Sequence, residues 1–260
     1  MTTDTPLLIH TEGGIARLRF NRPGVLNALD VATAQAFAEA CRDLARDATV
    51  RVVVLSGEGR AFVAGGDLAA MRADPVRSAA TIIDAMHEGI AILSGLPAPV
   101  LASLHGAVAG GGLGLALAAD LAIAAEGTRF NLAYANIGTS CDCSSSWGLP
   151  RLVGLRKAME IALLSDVFDA AEALRLGIVN RVVPAADLAA ETDRLAERLA
   201  RGAPHAFGRL KRLMRESFGR DLEGQLAAER TAFLECAATR DFGEGLTAFF
   251  EKRVARYEGR

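Results

Sequence analysis

The sequence predicts an α/β fold, an alternating core of strands and helices followed by a helical region. Three observations point there. Residues 52–55 (VVVL), 99–104 (PVLASL) and 121–125 (LAIAA) are apolar runs with no regular polar alternation. Strands covered on both faces read this way. Two glycine-rich loops, Gly65-Gly66-Asp67 and Gly110-Gly111-Gly112, each lead into a helical pattern. Beyond Pro184 only helical periodicity remains, at 187–200, 204–218, 221–236 and 239–256. Strands alternating with helices define the α/β class. The soft boundary lies near residue 200. A core of 1–200 carries the chemistry. A region of 201–260 makes little core alone and should pack on the body or on another subunit.

Taken in order, residues 7–10 and 15–20 flank Glu12-Gly13-Gly14 as a hairpin. Asn21-Arg22-Pro23-Gly24 ends it in a turn. Asp30 can cap a helix running to about Asp47, with Ala34, Phe37, Ala38, Cys41 and Leu44 along one face. Cys41 on that stripe reads as a small core residue. After the strand at 52–55, residues 56–59 turn the chain towards Asp67, which is placed to cap a short helix through Met71. Residues 72–77 read as an exposed loop and 81–93 as a helix, with His87 as a structural histidine within it. The strand at 99–104 is followed by a loop, 105–109, and a glycine-started helix to Asp120. A strand at 121–125 and helices at 144–153 and 156–164 come next. Asp169 to Glu172 form a capping box for a short helix ending at Gly177. A strand at 178–183 stops at Pro184.

Composition excludes several classes. Of 260 residues, 51% are hydrophobic and 23% charged, as in a globular protein. The net charge of −2 carries no basic signature for nucleic acid or for an anionic membrane surface. Aromatic residues are only 5%, so the core must rest on Ala, Leu, Val and Ile. The longest apolar stretch, 107–125, is broken by glycines and Asp120, and reads as a buried helix and strand rather than a membrane span. The opening MTTDTPLLIH has no basic segment leading into an apolar run. Cys41, Cys141, Cys143 and Cys236 fit reduced thiols in a cytoplasm, the expected location.

Chemistry concentrates at residues 99–148. Three glycines where a loop enters a buried helix expose unpaired N–H groups at the positive end of the helix dipole. Glycine also permits close ligand approach. The 64–66 segment repeats that design. The same glycines equally suit tight helix–strand packing. The spacing is not G-x-G-x-x-G, and no Gly-Lys-Ser/Thr follows, so dinucleotide and phosphate-loop readings fail. Asp142, between Cys141 and Cys143, suits proton transfer, and suits equally a turn or cap before Ser144. A C-x-C pair with four scattered histidines gives no zinc pattern, so no metal is expected.

These segments resemble the enoyl-CoA hydratase/isomerase family, also called the crotonase family, over essentially the whole chain. The carrying motifs are Asn21-Arg22-Pro23 with Leu26-Asn27-Ala28-Leu29, the loop from Ala61 to Leu68, His105 to Gly112, Leu174 to Asn180, and Ala248 to Arg253. The resemblance implies a spiral of ββα units with a C-terminal helical trimerisation region that also covers the active site. It implies an acyl-CoA thioester as substrate, no cofactor beyond that coenzyme A, and a homotrimer or dimer of trimers. By motif position the oxyanion hole falls on the N–H groups of Ala64 and Gly111, within loops that also offer Gly65, Gly66, Asp67 and Gly110. Val25, Leu26 and Lys252 fall where the family contacts coenzyme A. Tyr134 and Trp147 are further substrate contacts, with Phe130 and Leu149 as apolar lining.

The departures select the chemistry. The two glutamates by which family hydratases activate water would fall at Gly114 and Tyr134, and neither is acidic. Asp142 remains, in a segment that resembles the isomerase branch. The implied reaction is a Δ3 to Δ2 double-bond shift, with Asp142 as the proton shuttle and two backbone donors holding the enolate. The alternatives are hydration or other crotonase-type acyl-CoA chemistry, and a catalytically silent CoA-binding protein.

Overall fold

A computed structural model describes residues 5–260. Strand β1 (Leu7–Glu12) and β2 (Ile15–Phe20) form the expected hairpin, with Gly13 and Gly14 both at positive φ in the turn. Helix α1 (Val31–Arg46) starts where the Asp30 carboxylate accepts the Thr33 N–H (2.8 Å). β3 (Val52–Gly57) leads through the first glycine loop to α2 (Leu68–Met71). α3 spans Pro75–Gly95, capped by Asp74. It replaces the expected loop at 72–77 and lengthens the expected helix at both ends. Asp74-Pro75 is itself a start signal, because proline lacks only an N–H that the first turn leaves unpaired.

β4 (Val100–Leu104) is followed by β5 (Ala107–Ala109), α4 (Gly111–Ala118), β6 (Leu121–Ala125) and β7 (Arg129–Asn131). The expected loop at 105–109 thus contains a short strand, made by pairing with β7. α5 (Ser145–Val153), α6 (Leu155–Leu164), β8 (Phe168–Asp169), α7 (Ala170–Arg175) and β9 (Arg181–Val183) complete the strands. The strand expected at 178–183 begins only at Arg181. In the Asp169 cap the aspartate accepts the Glu172 N–H (2.9 Å), while the Glu172 side chain turns to Arg175. The chain ends in α8 (Leu188–Ala200), α9 (Pro204–Glu216), α10 (Leu222–Ala237) and α11 (Arg240–Glu251). The last is shorter than the expected 239–256. Lys252 turns left-handed and Arg253 N–H donates to the Ala248 carbonyl (3.0 Å), closing the helix.

The main sheet has the order β1-β2-β3-β4-β6-β9, parallel from β2 onward, and β5-β7-β8 form a second sheet. The uniform apolar runs have a direct cause. Val53 and Leu55 of β3 face a core with Phe20, Phe37 and Phe62, while Val52 and Val54 face Leu195 and Ala196 of α8. Both faces are covered, so neither needs polar residues. Asp120 ties the C-terminal helices to this body. It accepts from Lys211 Nζ (2.8 Å) and Arg215 Nη2 (2.7 Å) of α9 and from the Val100 N–H (2.8 Å). Burial pulls the Lys211 ammonium below its ordinary value while Asp120 opposes the shift. Among the described residues no helix is long and apolar enough to cross a membrane.

Candidate active site

The first glycine loop is held by Asn27. This buried side chain donates to the carbonyls of Glu58 (2.9 Å), Ala61 (2.8 Å) and Phe62 (3.0 Å), and its Oδ1 accepts the Arg22 N–H (2.8 Å). Asn27→Leu keeps the shape and strips these bonds. It is expected to destabilise the fold by about 2–3 kcal/mol, read by urea denaturation. A loss below about 1 kcal/mol would show that the carbonyls find other partners.

Downstream of that anchor, the Ala64 N–H donates to the Leu26 carbonyl (3.1 Å). The expectation that Ala64 supplies an oxyanion donor is therefore corrected: its hydrogen is already used. The Gly65 carbonyl accepts the Leu29 N–H (2.8 Å), and Asp67 N–H donates back to Leu29 (2.9 Å). In a trans peptide the N–H points opposite to the preceding carbonyl. The Gly66 N–H therefore faces away from Leu29, and it has no acceptor among the described residues. Gly65 itself sits at φ +104, a conformation that L side chains resist.

The second loop reaches the same place. Gly110, at φ +49, donates to the Asn131 carbonyl (3.0 Å) and accepts from Gly114 (3.1 Å). That leaves the Gly111 N–H as the first free donor of α4, with no acceptor among the described residues. The loops touch: a Cβ on Gly110 would lie 3.4 Å from Gly65 Cα.

Both loops open on one cavity of about 600 Å³, which Asp142 also lines. Among the described residues Asp142 is the single carboxylate that lines the cavity, and no Lys or Arg does. Its carboxylate does not cap α5, whose N-cap Ser144 makes no side-chain cap bond. Instead Oδ1 accepts the Tyr134 hydroxyl. Burial and the facing Asp142 charge push the Tyr134 phenol well above its ordinary value, so it stays a donor. Burial and Asp142 likewise push the Cys143 thiol up. Cys143 and Ser144 both adopt left-handed φ (+47° and +61°). The Cys143 N–H donates to His87 Nε2 (3.0 Å), pinning the strained turn to α3.

His87 thus borders the turn that carries Asp142, a place sequence reasoning did not give it. The available signal was the α3 face that it shares with Val76, Ala79 and Ile83, all lining the cavity. The structure gathers Ala64, Gly65, Gly66, Gly110, Gly111, Tyr134 and Asp142 around the cavity and leaves other expected residues outside its lining. Trp147 is 43% exposed, lies under Arg151 (4.1 Å to the ring centroid) and lines a separate hollow of about 290 Å³ with His87. Phe130 stacks on Phe168 in the core (5.4 Å between centroids), and Leu149 is buried there too. Val25, Leu26 and Lys252 do not line the cavity, though the Leu26 carbonyl fixes Ala64. Asp67 is a helix cap for the Ala70 N–H (3.1 Å) and a partner of Arg22 (3.0 Å). Burial would raise its carboxyl, but the Ala70 amide and Arg22 outweigh that and hold it below the ordinary range.

Known proteins resemble the chain along nearly its whole length. Residues 10–260 match the Enoyl-CoA hydratase/isomerase family. The chain is 33% identical to 1,2-epoxyphenylacetyl-CoA isomerase of Escherichia coli, covering 98% of each chain. It is 32% identical to crotonyl-CoA hydratase of Syntrophomonas wolfei, covering 96% of this chain and 97% of that one. The crystal structure of enoyl-CoA hydratase from Bacillus anthracis superposes with a TM-score of 0.94 at 29% identity, covering 98% of this chain and 100% of that one.

Proposed function

Because the chain belongs to the enoyl-CoA hydratase/isomerase (crotonase) family, we propose that it shifts the double bond of an enoyl-CoA from the Δ3 to the Δ2 position. The observation that carries this reading is a cavity with one carboxylate, Asp142, beside two backbone donors that are unpaired among the described residues. Asp142 removes a proton from the carbon between the thioester and the double bond. The C–H electrons pass into the thioester, giving a dienolate whose oxygen accepts from the Gly66 and Gly111 N–H groups. Such donors are each worth on the order of 10²–10³ in rate. Asp142 then returns its proton to the γ carbon, and the electrons settle as the Δ2 double bond. The proton is moved rather than consumed, so one carboxylate is enough.

Tyr134 defines which oxygen works. With Oδ1 occupied by the phenol, Oδ2 is the oxygen left to take and return the proton. Hydration, the activity in several relatives' names, has less support. It needs groups to orient and deprotonate water, and Gly114 offers none. A Cβ there would sit 2.5 Å from the Cys143 carbonyl and 2.6 Å from Ser145 Oγ. The turn that presents Asp142 occupies the space a glutamate would need. A homotrimer or dimer of trimers is the assembly we expect, supported by the exposed Phe249 and Phe250 on α11.

The test is incubation of the purified protein with a 3-enoyl-CoA and, separately, a 2-enoyl-CoA in deuterated water. Conversion of the first to the 2-enoyl isomer is expected, with deuterium at the γ carbon to the extent that Asp142 exchanges with solvent. Rapid hydration of the 2-enoyl-CoA without migration in the first would overturn the reading.

A further inference from the structure

One wall of the cavity is α3, and its composition speaks to the acyl group. Val76, Ala79, Ile83 and His87 line the cavity from successive turns of the helix. At 1.5 Å per residue this stripe is about 16 Å long. Its two ends differ. The His87 end is fixed beside the catalytic turn through the Cys143 N–H (3.0 Å). The Val76 end lies away from it, where Val76 is 82% exposed. Between them the stripe is aliphatic, and Met71 and Ile137 also line the cavity.

An aliphatic wall that starts at the proton shuttle and runs outward fits a hydrocarbon chain. It does not fit the charged end of coenzyme A, since among the described residues no Lys or Arg lines the cavity to meet phosphates. A four-carbon acyl group would leave most of a cavity of about 600 Å³ unfilled. We propose that the substrate is an aliphatic acyl-CoA of roughly eight to twelve carbons, its tail laid along α3 from His87 towards Val76. This rests on the isomerase reading only for which carbons face Asp142.

Saturated acyl-CoAs test the idea without turnover. Calorimetric titration should show tighter binding from butanoyl- to octanoyl- to decanoyl-CoA, by up to about fourfold per methylene where burial is complete. Ile83→Asp places a charge on the stripe, so the affinities for octanoyl- and butanoyl-CoA should converge. Val76→Asp, at an exposed position and harmless to folding, should cut the decanoyl increment most. A flat chain-length series would overturn the proposal. So would a variant that weakens coenzyme A itself as much as decanoyl-CoA, because the wall would then hold the pantetheine arm. Phenylacetyl-CoA binding better than octanoyl-CoA would also overturn it, in favour of an aromatic acyl group. If the chain-length series holds but no double bond migrates, the isomerase reading fails and the acyl-tail assignment stands.

Discussion

Asparagine in place of Asp142 is expected to lower kcat/KM for double-bond migration by about 10³-fold, with acyl-CoA still bound. Asparagine keeps the shape and an oxygen for the Tyr134 hydroxyl, but it cannot take a proton. Loss in kcat with little change in KM would assign the residue to the transition state; a loss in KM alone would make it a binding group. Tyr134→Phe tests the same carboxylate from its other side. It removes the hydroxyl on Oδ1 and should cost about tenfold in kcat, because a charge-assisted bond to a partly buried carboxylate is worth roughly 1.5–3 kcal/mol in place. The pH dependence gives a sharper check. The Tyr134 phenol is held well above its ordinary value, so the protonated donor persists past pH ~10. Wild type and Tyr134→Phe should therefore share one alkaline limb. A fall in wild type near pH ~10 that is missing from the phenylalanine variant would mean that Tyr134 ionises like a free phenol.

Much of the fold was legible because its signals are local. Asp30, Asp67 and Asp169 each cap a helix within three residues, a partner close enough in sequence to be read without the fold. The strands at 52–55 and 121–125 could be read because two-sided burial removes polar alternation. What stayed hidden depended on distant partners. The choice between Ala64 and Gly66 as donor turns on the Leu26 carbonyl, which arrives from a separate turn of chain. His87 gains its role through a backbone amide 56 residues away. β5 exists only because β7 lies beside it. Asn27 stood in the recognised motif as a family mark, yet its work is to hold three carbonyls from residues 58–62. The start of α3 is a different case. Asp74-Pro75 was a local signal, but in a polar stretch a proline also marks a loop, and only the helix that follows shows it at N1.

The glycine cluster left two meanings open in the sequence, close packing or donor loop, and substitutions at neighbouring residues separate them. Gly112→Ala is expected to destabilise the protein by about 4 kcal/mol or prevent soluble expression. Its Cβ would lie 2.1 Å from the Val63 carbonyl oxygen and 2.8 Å from Val63 Cβ. Val63 cannot retreat: it bridges to Val108, and its carbonyl accepts the Ala109 N–H (3.0 Å). Gly111→Ala meets only side-chain atoms, Cys143 Sγ and Leu29 Cδ1 at 3.2 Å, with Asp142 Oδ1 at 3.7 Å. It keeps the free N–H and should cost about 1 kcal/mol of stability. The pressed Cys143 belongs to the turn that aims Asp142, so the activity loss should exceed the stability loss, by about tenfold in kcat. Thermal melts and turnover of the two variants separate the roles. A stable Gly112→Ala protein would remove the packing role, and a fully active Gly111→Ala protein would show that the turn carrying Asp142 tolerates displacement. On the proposed reading one helix start serves both purposes: Gly112 lets the helix lie against the first loop, and Gly111, one residue earlier, keeps its N–H free at the cavity that Gly66 also lines.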